Sequence, residues 1–126
     1  MYLAERIQLF QLSEFPILDV DEGIKTTGTE DMLREMLKLM IEQSLPEDLA
    51  KMKEAHDNKD WEKTQQFAHK IKGGTVYVGA VRIKMACQYL ERYWKSGQRE
   101  LLDDLYQQAV KVIDESIVYI GDWLKK

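Results

Sequence analysis

Only two prolines and seven glycines interrupt 126 residues, so the backbone can run in long helices and has few places to turn. These breakers fall between stretches of helical apolar periodicity. Residues 2–12 form a candidate amphipathic helix with Leu3, Ile7 and Phe10 on one side, and Ser13 to Val20, which holds Pro16, reads as an extended connector. Asp21 is placed to cap a short helix through Lys25 that Gly28 closes. Thr29 caps a stronger helix to about Gln43, with Glu30 and Asp31 where the helix dipole favours anions. Ser44-Leu45-Pro46-Glu47 reads as a capping box, opening a helix that carries Leu45, Leu49, Met52 and Ala55 on one stripe and ends near His56–Asn58. Asp60 caps a helix from Trp61 to about Tyr77, Gly79 interrupts it, and Ala80 to Ser96 is helical again, with Gly97 as its stop. The last helix runs from about Gln98 to Leu124, with Leu102, Leu105, Ala109, Val112, Ser116 and Tyr119 in three-then-four spacing. No strand pattern and no internal repeat accompanies these segments. Short connections make sequential helices antiparallel neighbours. The expected fold is therefore all-α: an antiparallel up-down four-helix bundle with one or two short extra N-terminal helices. One domain spans residues 1–126, with 1–20 as N-terminal helix and connector and 21–126 as the bundle.

Composition narrows the function. The net charge is −4, from 18 basic and 22 acidic residues, so no basic excess is available to release phosphate counterions and no nucleic-acid partner is expected. Hydrophobic residues at 44% and charged residues at 32% are globular proportions. A single cysteine makes no intrachain disulfide and fits a reducing compartment. No apolar run approaches the ~18–20 residues that span a bilayer, and no signal segment opens the chain. A cytoplasmic protein without membrane contact is expected. Two histidines and one cysteine are too few for most zinc sites, and neither His56 nor His69 stands in the Glu-x-x-His arrangement of a di-iron bundle. No metal site is expected. Nor is there a nucleophile elbow, a Walker loop or a dinucleotide fingerprint, so no cofactor is expected.

His69 carries the chemistry that remains. On its helix Trp61, Thr64, Phe67, Ala68, Ile71 and Val78 sort onto an apolar side, whereas His69 falls with Gln65, Gln66, Lys72, Gly73 and Val76 on the other. An isolated exposed imidazole is most often an ordinary surface residue. Here Lys72 shares its face at i+3, Lys70 adjoins it, and Gly73 at i+4 clears space beside the ring. Two adjacent helical glycines cost roughly 1 kcal/mol each against alanine, a cost tolerated where another backbone or a partner approaches. Tight helix packing explains Gly74 better than Gly73. An ammonium beside a neutral imidazole suits nucleophilic attack on phosphorus, because lysine stabilises the arriving oxyanions. The other ring nitrogen then needs a holder that fixes the tautomer. His69 lies 11 residues before Ala80 and Glu91 lies 11 after it, so both sit ~16 Å from the turn of an antiparallel hairpin. Glu91 can hold the ring; the same spacing also pairs it with Lys95 at i+4.

Ala68-His69-Lys70-Ile71-Lys72-Gly73-Gly74 resembles the A-H-x-L-K-G core of histidine-containing phosphotransfer (HPt) domains. The likeness continues through Val78-Gly79-Ala80, Cys87-x-x-Leu90-Glu91 and, upstream, Asp21-x-Gly23-Ile24 with the helix capped at Thr29, and covers most of residues 17–124. Departures are small: Thr29 stands where an aspartate cap is common, and Val76-Tyr77-Val78 is bulky before the turn. The resemblance implies that His69 is phosphorylated, that Lys72 and Gly73 belong to its site, and that Glu91 orients the ring, leaving Nε2 to take the phosphoryl group. Such domains are phosphocarriers rather than enzymes. They bind no nucleotide and accept the group from a response-regulator receiver aspartate, the receiver supplying Mg²⁺ and most of the catalysis. The implied partners are receiver domains and a hybrid sensor histidine kinase, met by a monomer, since one exposed site per bundle needs no symmetry. Docking is expected around His69, with Gln65, Gln66, Lys70 and Val76 as contacts.

Two other readings compete: a helical interaction module that carries no phosphate, and a kinase-linked segment phosphorylated directly from ATP by a separate kinase domain. The helix after Thr29 holds Met32, Leu33, Met36, Leu37, Leu39, Met40 and Ile41, more apolar residues than one core stripe needs. Cys87, in line with Ile83, Leu90 and Trp94, reads as a buried inert thiol, and His56 near a helix C-terminus as structural.

Overall fold

The computed structural model describes residues 11–126, and all regular structure among them is helical. Six α-helices follow in order: α1 (Val20–Thr27), α2 (Glu30–Leu39), α3 (Leu45–Asp57), α4 (Trp61–Thr75), α5 (Val81–Lys95) and α6 (Leu102–Leu124). A π-helical turn, Met40–Ser44, joins α2 to α3, and a 3-10 turn, Val76–Val78, extends α4. The helix expected over residues 2–12 lies outside the described residues except for Gln11 and Leu12, which are not helical.

Helix starts follow side-chain chemistry. Thr29 accepts a hydrogen bond from the Met32 N–H at 3.1 Å, and Asp60 accepts from the Lys63 N–H at 3.0 Å, so each satisfies a donor that the first turn leaves over. The cap of α1 is Asp19, not Asp21: its carboxylate accepts from the Glu22 N–H at 3.1 Å, and Asp21 lies inside the first turn. The reason is tertiary, since the Asp19 N–H donates to the Gly79 carbonyl at 2.8 Å and fixes Asp19 in an extended conformation.

The capping box at Ser44 does not form. Ser44 is helical and its side chain makes no cap bond, so α2, the π-turn and α3 run as one rod from residue 30 to 57. The buried residues explain why. Leu33, Leu37, Met40, Leu45, Leu49 and Met52 all lie in the core, and the step from Met40 to Leu45 is one residue longer than an α-helical step. A π-turn, closed by the Leu45 N–H on the Met40 carbonyl, absorbs the extra residue and keeps one apolar seam. Pro46, which has no N–H and crowds the carbonyl four residues back, is accommodated beside the widened turn.

The rod 30–57, α4, α5 and α6 make the four members of the bundle. Each packs on the next in sequence, and α6 returns against α2 and the π-turn. Leu33, Leu37, Met52, Ile83, Leu90, Ile113 and Ile120 are fully buried at its centre. On α6 the expected stripe holds through Leu102, Leu105, Ala109, Val112 and Ser116, but Tyr119 is 47% exposed and Ile120 is buried instead. Eighteen residues are five turns of an α-helix, so Ile120 stands over Leu102 and Tyr119 does not. Met32 and Leu39 are the exposed apolar residues of α2. At the far end from Gly79, His56 stacks on Tyr106 with ring centroids 3.7 Å apart and contacts Asp103 at 2.7 Å, joining α3 to α6 as a structural residue. No helix among the described residues is long and apolar enough to cross a membrane.

The α4–α5 turn is held from outside by α1 and its connector. The Arg82 N–H donates to the Pro16 carbonyl at 3.1 Å, and Arg82 Nε donates to the Phe15 carbonyl at 2.8 Å. Gly79 has φ 74°, and a Cβ there would meet the Asp19 carbonyl oxygen at 2.3 Å. Gly73 and Gly74, by contrast, are helical and have nothing within 4 Å of a built Cβ. Helix packing therefore does not explain Gly74. Two stability outcomes follow in urea or thermal unfolding. Gly79→Ala should lose about 2 kcal/mol or more, from left-handed strain and collision with backbone. Gly74→Ala should gain roughly 0.5–1 kcal/mol, because it removes unfolded-state freedom at no steric cost.

Candidate functional site

The hairpin of α4 and α5 brings His69 and Glu91 to one level, as their equal distance from the turn requires. His69 Nδ1 lies 2.7 Å from Glu91 Oε2. Both partners expected for Glu91 are present at once: Lys95 Nζ donates to Oε2 at 2.8 Å. Lys72 Nζ adds a third bond, to Oε1, at 2.8 Å. Glu91 is 4% exposed. Burial pushes its carboxyl up, but the bonds from Lys72, Lys95 and His69 outweigh that and hold it at about 2, against an ordinary 4.5. The group is thus ionised at neutral pH.

This settles the tautomer. An ionised carboxylate only accepts, so the proton between the two groups sits on His69 Nδ1. A neutral ring then carries its lone pair on Nε2, which takes no hydrogen bond among the described residues, and the side chain is 62% exposed. The ring is thereby aimed, held in one tautomer and open to attack an electrophile. With His69 neutral, one carboxylate faced by two ammonium groups leaves the cluster net positive, which favours an arriving anion.

Other expected contacts divide. Gln65, Gln66, His69, Glu91 and Lys95 line one open cleft of about 210 Å³. Gln65 is nonetheless buried, contrary to its expected place on the open face; it packs beneath the cleft one turn before His69. Gly73 and Val76 follow one and two turns after His69 and are exposed. Lys70 turns away: Nζ donates to Asp48 Oδ1 at 3.0 Å and ties α4 to α3, because the residue next to His69 projects about 100° around the helix. Cys87 is buried, and its thiol is pushed up to about 12 by burial, with Lys72 lowering and Glu91 raising it to smaller extents, which makes it inert at neutral pH. No group of three or more His, Cys, Asp or Glu side chains able to hold a metal ion occurs among the described residues.

Sequence reasoning misses Lys95 as a member of the cleft, although its i+4 spacing from Glu91 is a visible sign. It also gives Lys72 to the phosphoryl group alone, whereas the carboxylate binds it. A pH dependence follows. A depressed carboxyl contributes stability that is complete above its unfolded value near 4.5 and lost as pH falls toward 2. Comparing urea unfolding of wild type and Glu91→Gln from pH 7 to 2, the difference in stability should shrink by roughly 3 kcal/mol across that window.

Comparison with known proteins places the sequence in a family. The Hpt domain family model fits residues 35–120. The chain is 31% identical over 91 residues, 72% of its length, to the signal transduction histidine-protein kinase BarA of Escherichia coli (strain K12) and to that of Shigella flexneri. It is 28% identical over 106 residues, 81% of its length, to the sensor protein GacS of Pseudomonas syringae pv. syringae. The matched part is 10% of BarA and 12% of GacS, so the chain spans a small fraction of these relatives. No solved structure matches significantly. The histidine held by a buried glutamate sits within the matched segment, and the chain belongs to the Hpt domain family.

Proposed function

We propose that this chain is a histidine phosphotransfer protein of a two-component phosphorelay. His69 Nε2 attacks the phosphorus of a receiver-domain aspartyl phosphate. The N–P bond forms as the P–O bond to the aspartate breaks, and the electron pair leaves with the carboxylate. A second receiver aspartate reverses the step and takes the group onward. The observation that carries the reading is the 2.7 Å bond from His69 Nδ1 to Glu91 Oε2, which aims Nε2 outward. Glu91 also stabilises the charge the ring gains when Nε2 is substituted. Lys72, on the other carboxylate oxygen, balances Glu91 and favours the incoming dianion by its charge. Gly73 leaves room for the receiver to approach, and Gln66 and Val76 flank the docking surface. Lys70, bound to Asp48, contributes there through its aliphatic stem.

The chain acts as a carrier: it needs no cofactor of its own, and the partner receiver supplies Mg²⁺ and the donor aspartate. A monomeric protein in the cytoplasm, meeting receivers and a hybrid sensor histidine kinase, fits this role. The relatives are a histidine-protein kinase and a sensor protein, which favours one second reading, in which a separate kinase domain phosphorylates the segment directly from ATP.

Incubation with a phosphorylated receiver and Mg²⁺, read by intact mass at alkaline pH, should add one phosphoryl group that acid removes. His69→Gln should add none while retaining the helical signal and the thermal transition; a labelled variant would falsify the assignment. Labelling by a kinase domain with ATP, but by no receiver, would favour the second reading. Lys72→Ala should slow transfer by about tenfold, the scale of losing one nearby positive charge that favours the transferring group; an unchanged rate would remove Lys72 from the mechanism. Gly73→Gln should weaken receiver binding, read by titration calorimetry.

A further inference from the structure

Two lysines bind Glu91 at the same distance, yet they are not equivalent. Lys72 holds Oε1 and its side chain is 22% exposed. Lys95 holds Oε2, the oxygen that His69 already uses, and is 61% exposed. Among the described residues, Lys95 is also the only lysine or arginine lining the cleft that His69 opens into; Gln65, Gln66, His69 and Glu91 complete its walls. The Glu91 end of this pair is buried, whereas the Lys95 ammonium stands at the cleft mouth with water on its open side. Lys95 is therefore a solvent-facing ammonium standing two hydrogen bonds from the ring, within the same cleft.

Phosphorylation of His69, the proposed role on which this inference rests, changes the competition for Oε2. A ring substituted on Nε2 and protonated on Nδ1 is cationic, so its N–H becomes the stronger donor to the shared oxygen. At the same moment a doubly charged phosphoryl group enters the cleft, offering three acceptors to the ammonium. We propose that Lys95 is a phosphoryl-binding residue: it leaves Glu91 Oε2 for the phosphoryl oxygens when the N–P bond forms. Lys72 stays on Oε1 and keeps Glu91 ionised. The arrangement gives the empty site a resident counter-ion and the loaded site a clamp, with one side chain serving both.

The test needs no partner protein. Phosphoramidate phosphorylates the full chain: Nε2 attacks its phosphorus, the P–N bond breaks, and the departing nitrogen takes up a proton and leaves as ammonia. The phosphoryl resonance of the phosphohistidine is then titrated by ³¹P NMR from pH 6 to 9. An ammonium on the oxygens favours the dianion, so its loss should raise the phosphoryl pKa in Lys95→Ala by about half a pH unit, the scale of one exposed charge pair. Lys95→Arg should restore the wild-type value, which a purely structural defect would not do. An unshifted titration in Lys95→Ala overturns the proposal, as does a shift that arginine fails to restore. A wild-type chain that yields no phosphohistidine signal on His69 removes the underlying phosphoacceptor assignment as well, a result distinct from either of those.

Discussion

A carboxylate taken out of water must be met by donors or lose its charge. Glu91 is met three times, by His69, Lys72 and Lys95, and the site's properties descend from that. Ionisation of Glu91 decides which ring nitrogen holds the proton, and the tautomer decides which nitrogen is free. The free nitrogen points out because its partner is in. Burial of one acid thus holds an exposed imidazole in one tautomer, with its free nitrogen toward solvent.

The scaffold serves that contact by keeping two helices in register. A slip of one residue along α4 or α5 would rotate either partner about 100° out of the shared plane. The register is fixed at the turn, where Gly79 admits the Asp19 carbonyl and Arg82 bonds the connector. From there 11 residues on each side lead to His69 and Glu91. A left-handed glycine and close packing at one end of the hairpin therefore set where His69 and Glu91 meet three turns away.

The helices, the bundle and the His69–Glu91 pairing are legible in the sequence because each is written in local periodicity and caps. Capping by Thr29 and Asp60 is a matter of three residues, and the hairpin level is arithmetic. What stays hidden is set by contacts between distant segments. Asp19 rather than Asp21 caps α1 because Gly79 captures its backbone. Ser44 looks like a cap until the five-residue step from Met40 to Leu45 is weighed against Pro46; that step is a readable sign of an inserted residue in a continuous helix. The turn of Lys70 toward Asp48 depends on α3 lying beside α4, which no spacing on α4 reveals. Spacing alone offers Lys95 and His69 as rival partners for Glu91, whereas one carboxylate oxygen, Oε2, accepts from both.

Gly73 and Gly74 occupy regular helix with nothing near the missing methyl groups. The folded chain would accept a methyl group at either position, so its own packing supplies no reason for either glycine. Selection for thermostability acts on the fold alone and would find these positions among its easiest gains. A laboratory lineage evolved for heat resistance would thus fill the surface beside His69 early, growing hardier as the open ground next to the ring closed.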